Sequence, residues 1–417
     1  MSQEFDPIEV FPESERTDLR TDSDDCYKCS TCDSVCPVAE VDETFPGPKF
    51  LGPEQWRLTR KEDREFDDST PKCSNCFRCD AACPSDVNLS RMHNESKAAY
   101  AAENGLSIRD RLLANYGRLA RVASRFPRLS NLLVRNPLTR WINQRVLGIA
   151  GEREFPAFAT QTFRTWFEER GGSRIEDDEK RVAYFHGDFA NYNTPEVGQA
   201  LVRTFEQLGY EVAVPDQRCS GTPMFANGAM DDARRAARFN VETLAEYVAE
   251  GYDVVCSCTS CSLALRQEYP ELFDFEAVGE VAVHTHEALE YLRIHEDLDG
   301  ALADADADFP DLAYHAPCHA RVQGLGDQTV ELLAPLDGVE ATDVGDSCSG
   351  ISGTYGWKAE NYDVSMAIGG EMFEHMAAAD AETGMTECPT CAMQMEHGTG
   401  YDVRHPLEVL EAALVDD

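Results

Sequence analysis

Two copies of one cysteine spacing, an arginine-rich stretch and an internal repeat predict an α+β chain of several domains. The expected order is a helical cysteine-rich N-terminal domain, a helical connecting segment and a duplicated α/β region. The spacing C-x2-C-x2-C-x3-C-P occurs as Cys26, Cys29, Cys32, Cys36, Pro37 and again as Cys73, Cys76, Cys79, Cys83, Pro84. The repeat pairs three further motifs at offsets of 130, 129 and 130 residues. At 417 residues the chain is long enough for two or three domains with proper cores.

Residues 1–23 read as an acidic flexible arm, because the first 25 residues carry nine acids and two arginines with few large apolar side chains. Residues 24–95 hold both cysteine runs and the turn-rich Phe45-Pro46-Gly47-Pro48 between them. In this spacing, that of two-cluster ferredoxins, three thiolates grip one [4Fe–4S] cube and the fourth reaches the neighbouring cube. That assigns Cys26, Cys29, Cys32 and Cys83 to a first cluster, and Cys73, Cys76, Cys79 and Cys36 to a second. A structural zinc site needs two ligand pairs separated by a loop instead. A disulfide scaffold needs a short secreted chain with a higher cysteine density than 16 in 417. Two closely spaced cubes mean that electrons pass through the protein.

Residues 96–178 turn helical, with Leu112, Leu113, Tyr116, Leu119 and Val122 at spacings of three and four. Between Leu106 and Ala150 stand nine arginines (109, 111, 118, 121, 125, 128, 135, 140 and 145) and one acid, Asp110. An amphipathic helix with arginines on one face and Leu, Val and Trp141 on the other suits an anionic lipid surface. It equally suits an acidic partner or the protein's own acidic domains. The whole chain carries a formal charge of −39, with 76 acids and only seven lysines. Acid spread so widely fits a surface suited to very high salt, where screening mutes self-repulsion. It argues against nucleic acid as a partner, which needs a large basic face.

The repeat divides the rest into 179–296 and 311–417, joined by an acid- and alanine-rich surface connection. Tyr184-Phe185-His186-Gly187-Asp188 matches Tyr314-His315-Ala316-Pro317-Cys318; Cys219-Ser220-Gly221 matches Cys348-Ser349-Gly350; and the Cys258, Cys261 pair matches Cys388, Cys391. Each half reads strand, helix, strand, helix, strand, with cysteines just after apolar strands such as Arg181–Phe185 and Asp253–Cys256. Open α/β sheets build their sites at those strand ends.

This layout resembles the iron–sulfur proteins that join a two-cluster ferredoxin domain to two cysteine-rich CCG domains. Among them are the C subunits of anaerobic glycerol-3-phosphate dehydrogenase, glycolate oxidase and lactate-utilisation iron–sulfur proteins, and heterodisulfide reductase subunits. Asn191-Tyr192-Asn193-Thr194-Pro195, Cys318-His319, the Cys-Ser pairs and Gly353-Thr354-Tyr355-Gly356 look most like the glycerol-3-phosphate dehydrogenase C subunits. The resemblance implies an electron-transfer protein at the cytoplasmic face of the membrane. It would work with a flavin-bearing dehydrogenase subunit, another accessory subunit and a quinone acceptor. The alternatives are a glycolate or lactate oxidase component and a thiol–disulfide reductase.

The cysteine sets depart from the family pattern. The first half has Asp188 at its leading cysteine position and Ser220 for a second cysteine, leaving Cys219, Cys258 and Cys261 with Cys256 to spare. The second keeps Cys318, Cys348, Cys388 and Cys391, with His315 and His319 adjacent, and is the better candidate for a further iron–sulfur or zinc centre. Dinucleotide and P-loop fingerprints are absent, so substrate oxidation belongs to a partner. The chain opens without a basic, then apolar, leader and has no run of about 18 apolar residues. Reduced thiols then place it in the cytosol, with any membrane contact peripheral.

Overall fold

A computed structural model of the chain describes residues 23–59, 65–177, 179–305 and 309–415. The acidic arm expected at 1–23 lies outside these, apart from Ser23. Each ferredoxin-type cysteine run is a coiled loop leading into one helical turn, Thr31–Ser34 in the first and Arg78–Ala81 in the second. Behind them runs helix α1 (Leu89–Asn104), capped by the Asn88 side chain on the Arg91 amide and closed by Gly105. It passes unbroken through the boundary expected at 95/96. Met92, His93, Asn94 and Lys97 are all buried, so packing carries the first domain on to Gly105.

The basic stretch is four short α-helices, the last continued by a π-helical turn at Asn143–Leu147, rather than one amphipathic helix. They are α2 (Ile108–Ala114), α3 (Tyr116–Ala123), α4 (Pro127–Arg135) and α5 (Pro137–Ile142). Pro127 and Pro137 each occupy a first helical position, where the missing amide costs nothing, and so restart the helix. The inner side of this layer docks on the repeated halves. Ala114 and Ala120 are buried, Tyr116 stacks on Phe189, and its hydroxyl donates to Asn193 Oδ1 at 2.8 Å.

The two C-terminal halves each form a four-stranded parallel sheet. The strands are β1 (Arg181–Phe185), β2 (Glu211–Ala213), β3 (Asp253–Cys256), β4 (Thr285–Glu287), β5 (Leu312–Tyr314), β6 (Ala341–Asp343), β7 (Thr383–Met385) and β8 (Asp402–Arg404). Their orders, β2-β1-β3-β4 and β6-β5-β7-β8, are identical once the repeat is superposed. In register, Phe185 faces Cys256 and Tyr314 faces Met385. β1 and β3 fall on the residues expected. The outer strands β4 and β8 add a fourth member to each half, which periodicity does not announce, since three polar-rich residues leave no apolar run to read.

One apolar core spans both halves, including Tyr184, Leu201, Phe205, Leu292, Tyr314, Met385 and Leu410. It also takes in Leu298 and Leu302 from the segment expected to be a surface connection. Residues 299–303 form a helical turn there, and burial of these two leucines draws the segment inward.

Candidate metal centres and the cavity between them

The two ferredoxin-type runs interlock as their spacing requires. The Cys32 thiol lies in the field of Cys26 and Cys83, and that of Cys36 in the field of Cys76 and Cys73. Cys79 joins the second group, so the fourth cysteine of each run sits with the other run. Burial pushes both Cys32 and Cys36 up to about 12, with the neighbouring sulfurs adding to it. A group of buried thiols so reluctant to ionise together needs positive charge among them.

The backbone fits the same guest. The residues on either side of the second cysteine are left-handed in both runs: Lys28 and Ser30 with φ of 60° and 66°, Asn75 and Phe77 with 62° and 64°. None is glycine, and such residues persist only where the surroundings hold them. Alternation of this kind curls the loop so that successive thiols face one centre. Further out, the Val87 amide donates to Cys83 Sγ at 3.4 Å. His93 Nδ1 stands 3.8 Å from Cys73 Sγ while its Nε2 donates to the Pro48 carbonyl at 3.0 Å. Burial pushes the Cys73 thiol up, but Lys97 and His93 outweigh it and hold it at about 6. Cys29 is exposed, whereas Cys36 and Cys79 are buried. The first cluster site therefore meets solvent and the second faces inward.

Inward lies a cavity of about 560 Å³. Cys76 lines it, as do Cys219, Cys258 and Cys261 of the first half and Cys318, Cys348, Cys388 and Cys391 of the second. These cysteines follow the C-terminal ends of β2 and β3 in the first half and of β5, β6 and β7 in the second, around the point where strand order reverses, the crevice in which open α/β sheets bind ligands. In the second half, Cys318 pairs with Cys348 and Cys388 with Cys391 by thiol hydrogen bonds. Cys388 caps the helix Pro389–Thr399, and donation from Cys391 and Thr390 lowers its thiol below the usual range against the cost of burial. The Gly350 amide donates to Cys348 Sγ at 3.4 Å. Gly350 has φ of 79° and a Cβ there would stand 2.1 Å from the Ser365 carbonyl oxygen, so the Cys-Ser-Gly turn requires it.

The second ferredoxin-type run and the second half meet directly. Cys76 and Cys318 lie in each other's field, and Cys36, Cys73, Cys318 and Cys348 share one apolar cluster. Arg78 donates to the Cys318 thiol and grips Asp346 with both terminal nitrogens, at 2.7 and 3.3 Å. His319 ties three parts of the chain together. Its Nε2 donates to the Asn75 carbonyl at 3.0 Å, which leaves Nδ1 to accept from Ser260 Oγ at 2.9 Å, and its ring meets Phe77 edge-on. His315, by contrast, is buried with neither nitrogen partnered. Cys256 is a buried core residue of β3 and does not line the cavity. Sequence reasoning missed Arg78, His93, Lys97 and the bridging role of His319; only the spacing of four between His93 and Lys97 gave a hint.

Among the described residues, no three thiol, imidazole or carboxyl groups converge closely enough to hold a single metal ion.

Fold and donor sets together define an iron–sulfur protein: a two-cluster ferredoxin domain built onto a duplicated cysteine-rich α/β pair. The 4Fe-4S dicluster domain family matches residues 22–87, and the cysteine-rich domain family matches 182–266 and 312–396. The chain is 34% identical to the C subunit of the anaerobic glycerol-3-phosphate dehydrogenase of Escherichia coli K12, over 94% of this chain and 99% of that one. It is 30% identical to lactate utilization protein A of an Exiguobacterium species, over 56% of this chain and 96% of the relative. With the D subunit of the dihydromethanophenazine:CoB–CoM heterodisulfide reductase of Methanosarcina mazei it shares 23% identity, over 90% and 88%. The chain belongs to the family of anaerobic glycerol-3-phosphate dehydrogenase C subunits.

Proposed function

We propose that this chain is the iron–sulfur electron-transfer component of a membrane-associated glycerol-3-phosphate dehydrogenase. A flavin-bearing partner oxidises the substrate, with another accessory protein in the complex and quinone as the final acceptor. Bound [4Fe–4S] clusters supply one-electron carriers at Cys26, Cys29, Cys32 and Cys83 and at Cys73, Cys76, Cys79 and Cys36. A further cluster is held by Cys318, Cys348, Cys388 and Cys391. The observation that carries this reading is the succession of cysteine sets from exposed Cys29, through the Cys76–Cys318 junction, to the cavity between the two halves. Arg78, His93 and Lys97 lie around the sulfurs and offset the negative charge that each electron brings.

The test is anaerobic mixing with glycerol 3-phosphate. With the flavin-bearing partner present, the substrate should bleach the cluster absorbance of this chain; the chain alone should stay oxidised. Reduction without the partner, or tightly bound flavin in this chain, would refute the division of labour. Similarity to lactate utilization protein A supports a second reading, in which the partner oxidises a 2-hydroxy acid. Bleaching by lactate or glycolate but not by glycerol 3-phosphate would select it.

A further inference from the structure

We propose that the arginine-lined cleft between α3 and the first cysteine-rich half is a binding site for a phosphate ester. Five arginines brought together from four parts of the chain line it. Arg118 and Arg121 come from α3, Arg164 from the helix Phe163–Glu169, Arg218 from the loop after β2, and Arg235 from the helix Met230–Ala249. Only three carboxylates, those of Asp188, Asp216 and Asp232, stand among them. Over the whole chain 76 acids face 37 basic residues, so the cleft reverses the balance. Like charges gathered in a cleft repel one another, and the same field draws in an anion.

The three acids answer only part of that charge. Asp232 holds Arg118 at 3.3 Å and also pairs with Arg235, while Asp216 holds Arg164 at 2.8 Å. Among the described residues no ion pair holds Arg121 or Arg218. Arg121 leans on the Tyr192 hydroxyl. Arg218 lies 4.3 Å from the centroid of the Phe239 ring and donates to the Arg235 carbonyl at 3.3 Å. Neutral contacts of this kind orient a guanidinium and leave its charge uncompensated. Its planar fork then matches a pair of phosphate oxygens.

A buried histidine points to a ligand independently. His186 is only 5% exposed and lines the cleft. Its Nδ1 donates to the Gly187 carbonyl at 2.6 Å, so in the neutral ring Nε2 is an acceptor, and Nε2 has no hydrogen-bond partner. An empty buried acceptor is costly, and a hydroxyl group of a phosphate ester would satisfy it. His186, Gly187, Asp188 and Cys219 line both this cleft and the cavity between the two halves, so they separate the two spaces. At about 1000 Å³ the cleft is far roomier than an inorganic anion needs, which favours an organic phosphate. The ester has two sources, a soluble polyol phosphate or the phosphodiester headgroup of an anionic lipid. Leu119 and Val122 stand exposed on α3 beside the two arginines, where the acyl chains of a lipid would begin.

The experiment uses the full chain, reconstituted anaerobically, at low ionic strength, where screening is weakest. Arg121→Gln with Arg218→Gln removes the two charges that no acid pairs. Arg234→Gln with Arg238→Gln removes as much charge from the helix Met230–Ala249 without touching the cleft lining. The probes are glycerol 3-phosphate, followed by calorimetry, and phosphatidylglycerol vesicles, followed by sedimentation against phosphatidylcholine vesicles. With a soluble ester as the ligand, glycerol 3-phosphate binds the parent and the outer pair alike, and the cleft pair about tenfold more weakly or worse. With a headgroup as the ligand, glycerol 3-phosphate gives no heat, and the cleft pair alone loses its hold on phosphatidylglycerol. A melting temperature on each variant reports folding, and Arg235→Gln replaces the cleft pair should that pair melt early. A parent that binds neither probe, or equal weakening in the cleft and outer variants, would overturn the site.

Discussion

Phe77 holds a φ of 64°, a conformation in which a bulky residue costs on the order of 1–3 kcal/mol. Lys28, Ser30 and Asn75 carry the same strain at matching positions, so cluster ligation has to compensate for it. Ser30→Gly should therefore leave iron content and thermal stability within about 1 kcal/mol of the parent, whereas Ser30→Val should empty the first cluster site and spare the second. Equal iron in both variants would show that the loop does not need its curl.

Glu268 gives a pH signature away from the ligands. Burial raises its carboxyl from 4.5 to about 8, with Asn94 donating to Oε1 at 3.2 Å. The folded state thus binds the extra proton between those values, and stability falls as pH rises from 4.5 to about 8. Glu268→Gln should flatten that fall in a series of melting temperatures; an unchanged slope would place the burden elsewhere. Among single residues, the eight ferredoxin-type cysteines were legible because a fixed spacing along the chain sets their geometry. Arg78 and His319 were not, because each acts on a sulfur or carbonyl brought near only by the packing of separate domains.

The basic helices show what an element owes to its surroundings. Arg109 is tied to Glu360, Arg118 to Asp232 and Arg140 to the Gly151 carbonyl, so part of the charge serves internal docking. Arg111, Arg125, Arg128, Arg135 and Arg145 have no acidic partner among the described residues. Beside them Phe126, Leu132 and Trp141 are 67%, 66% and 56% exposed, with Leu129, Leu133 and Leu138 also outward. Both expected readings of this segment thus have residues to stand on, divided between its two sides. The periodicity signalled helix but not the breaks, which the two prolines set, nor which face would stay bare. Replacing Leu129, Leu132 and Trp141 with Ser should detach the protein from anionic vesicles at all salt concentrations. Replacing Arg125, Arg128 and Arg135 with Gln should weaken binding mainly at low salt, where each charge contributes about 1 kcal/mol. Sedimentation with vesicles reads both. Undiminished binding by the apolar variant would exclude the lipid surface as the target of this face.

Across the whole molecule, no helix among the described residues is long and apolar enough to cross a membrane. Any hold on a bilayer by these helices then falls to surfaces such as the bare basic one. The duplicated halves were legible from offsets of 130, 129 and 130, because repeats keep spacing where they keep strands. Their closure onto one cavity was not, since it depends on a core that merges both halves and on His319 reaching across to Ser260. The resulting architecture places the exposed Cys29 at one end and a cavity shared by the two halves at the other, with the two ferredoxin-type cysteine sets along that line. Electron paramagnetic resonance of the anaerobic, dithionite-reduced chain, with iron and sulfide counted on the same sample, puts the two cubes assigned to those sets to the test. At least about eight iron and eight sulfide per chain are expected, with two [4Fe–4S] signals split by mutual coupling. Stoichiometric zinc without acid-labile sulfide, or two cluster signals with no coupling between them, would contradict the interlocked pair.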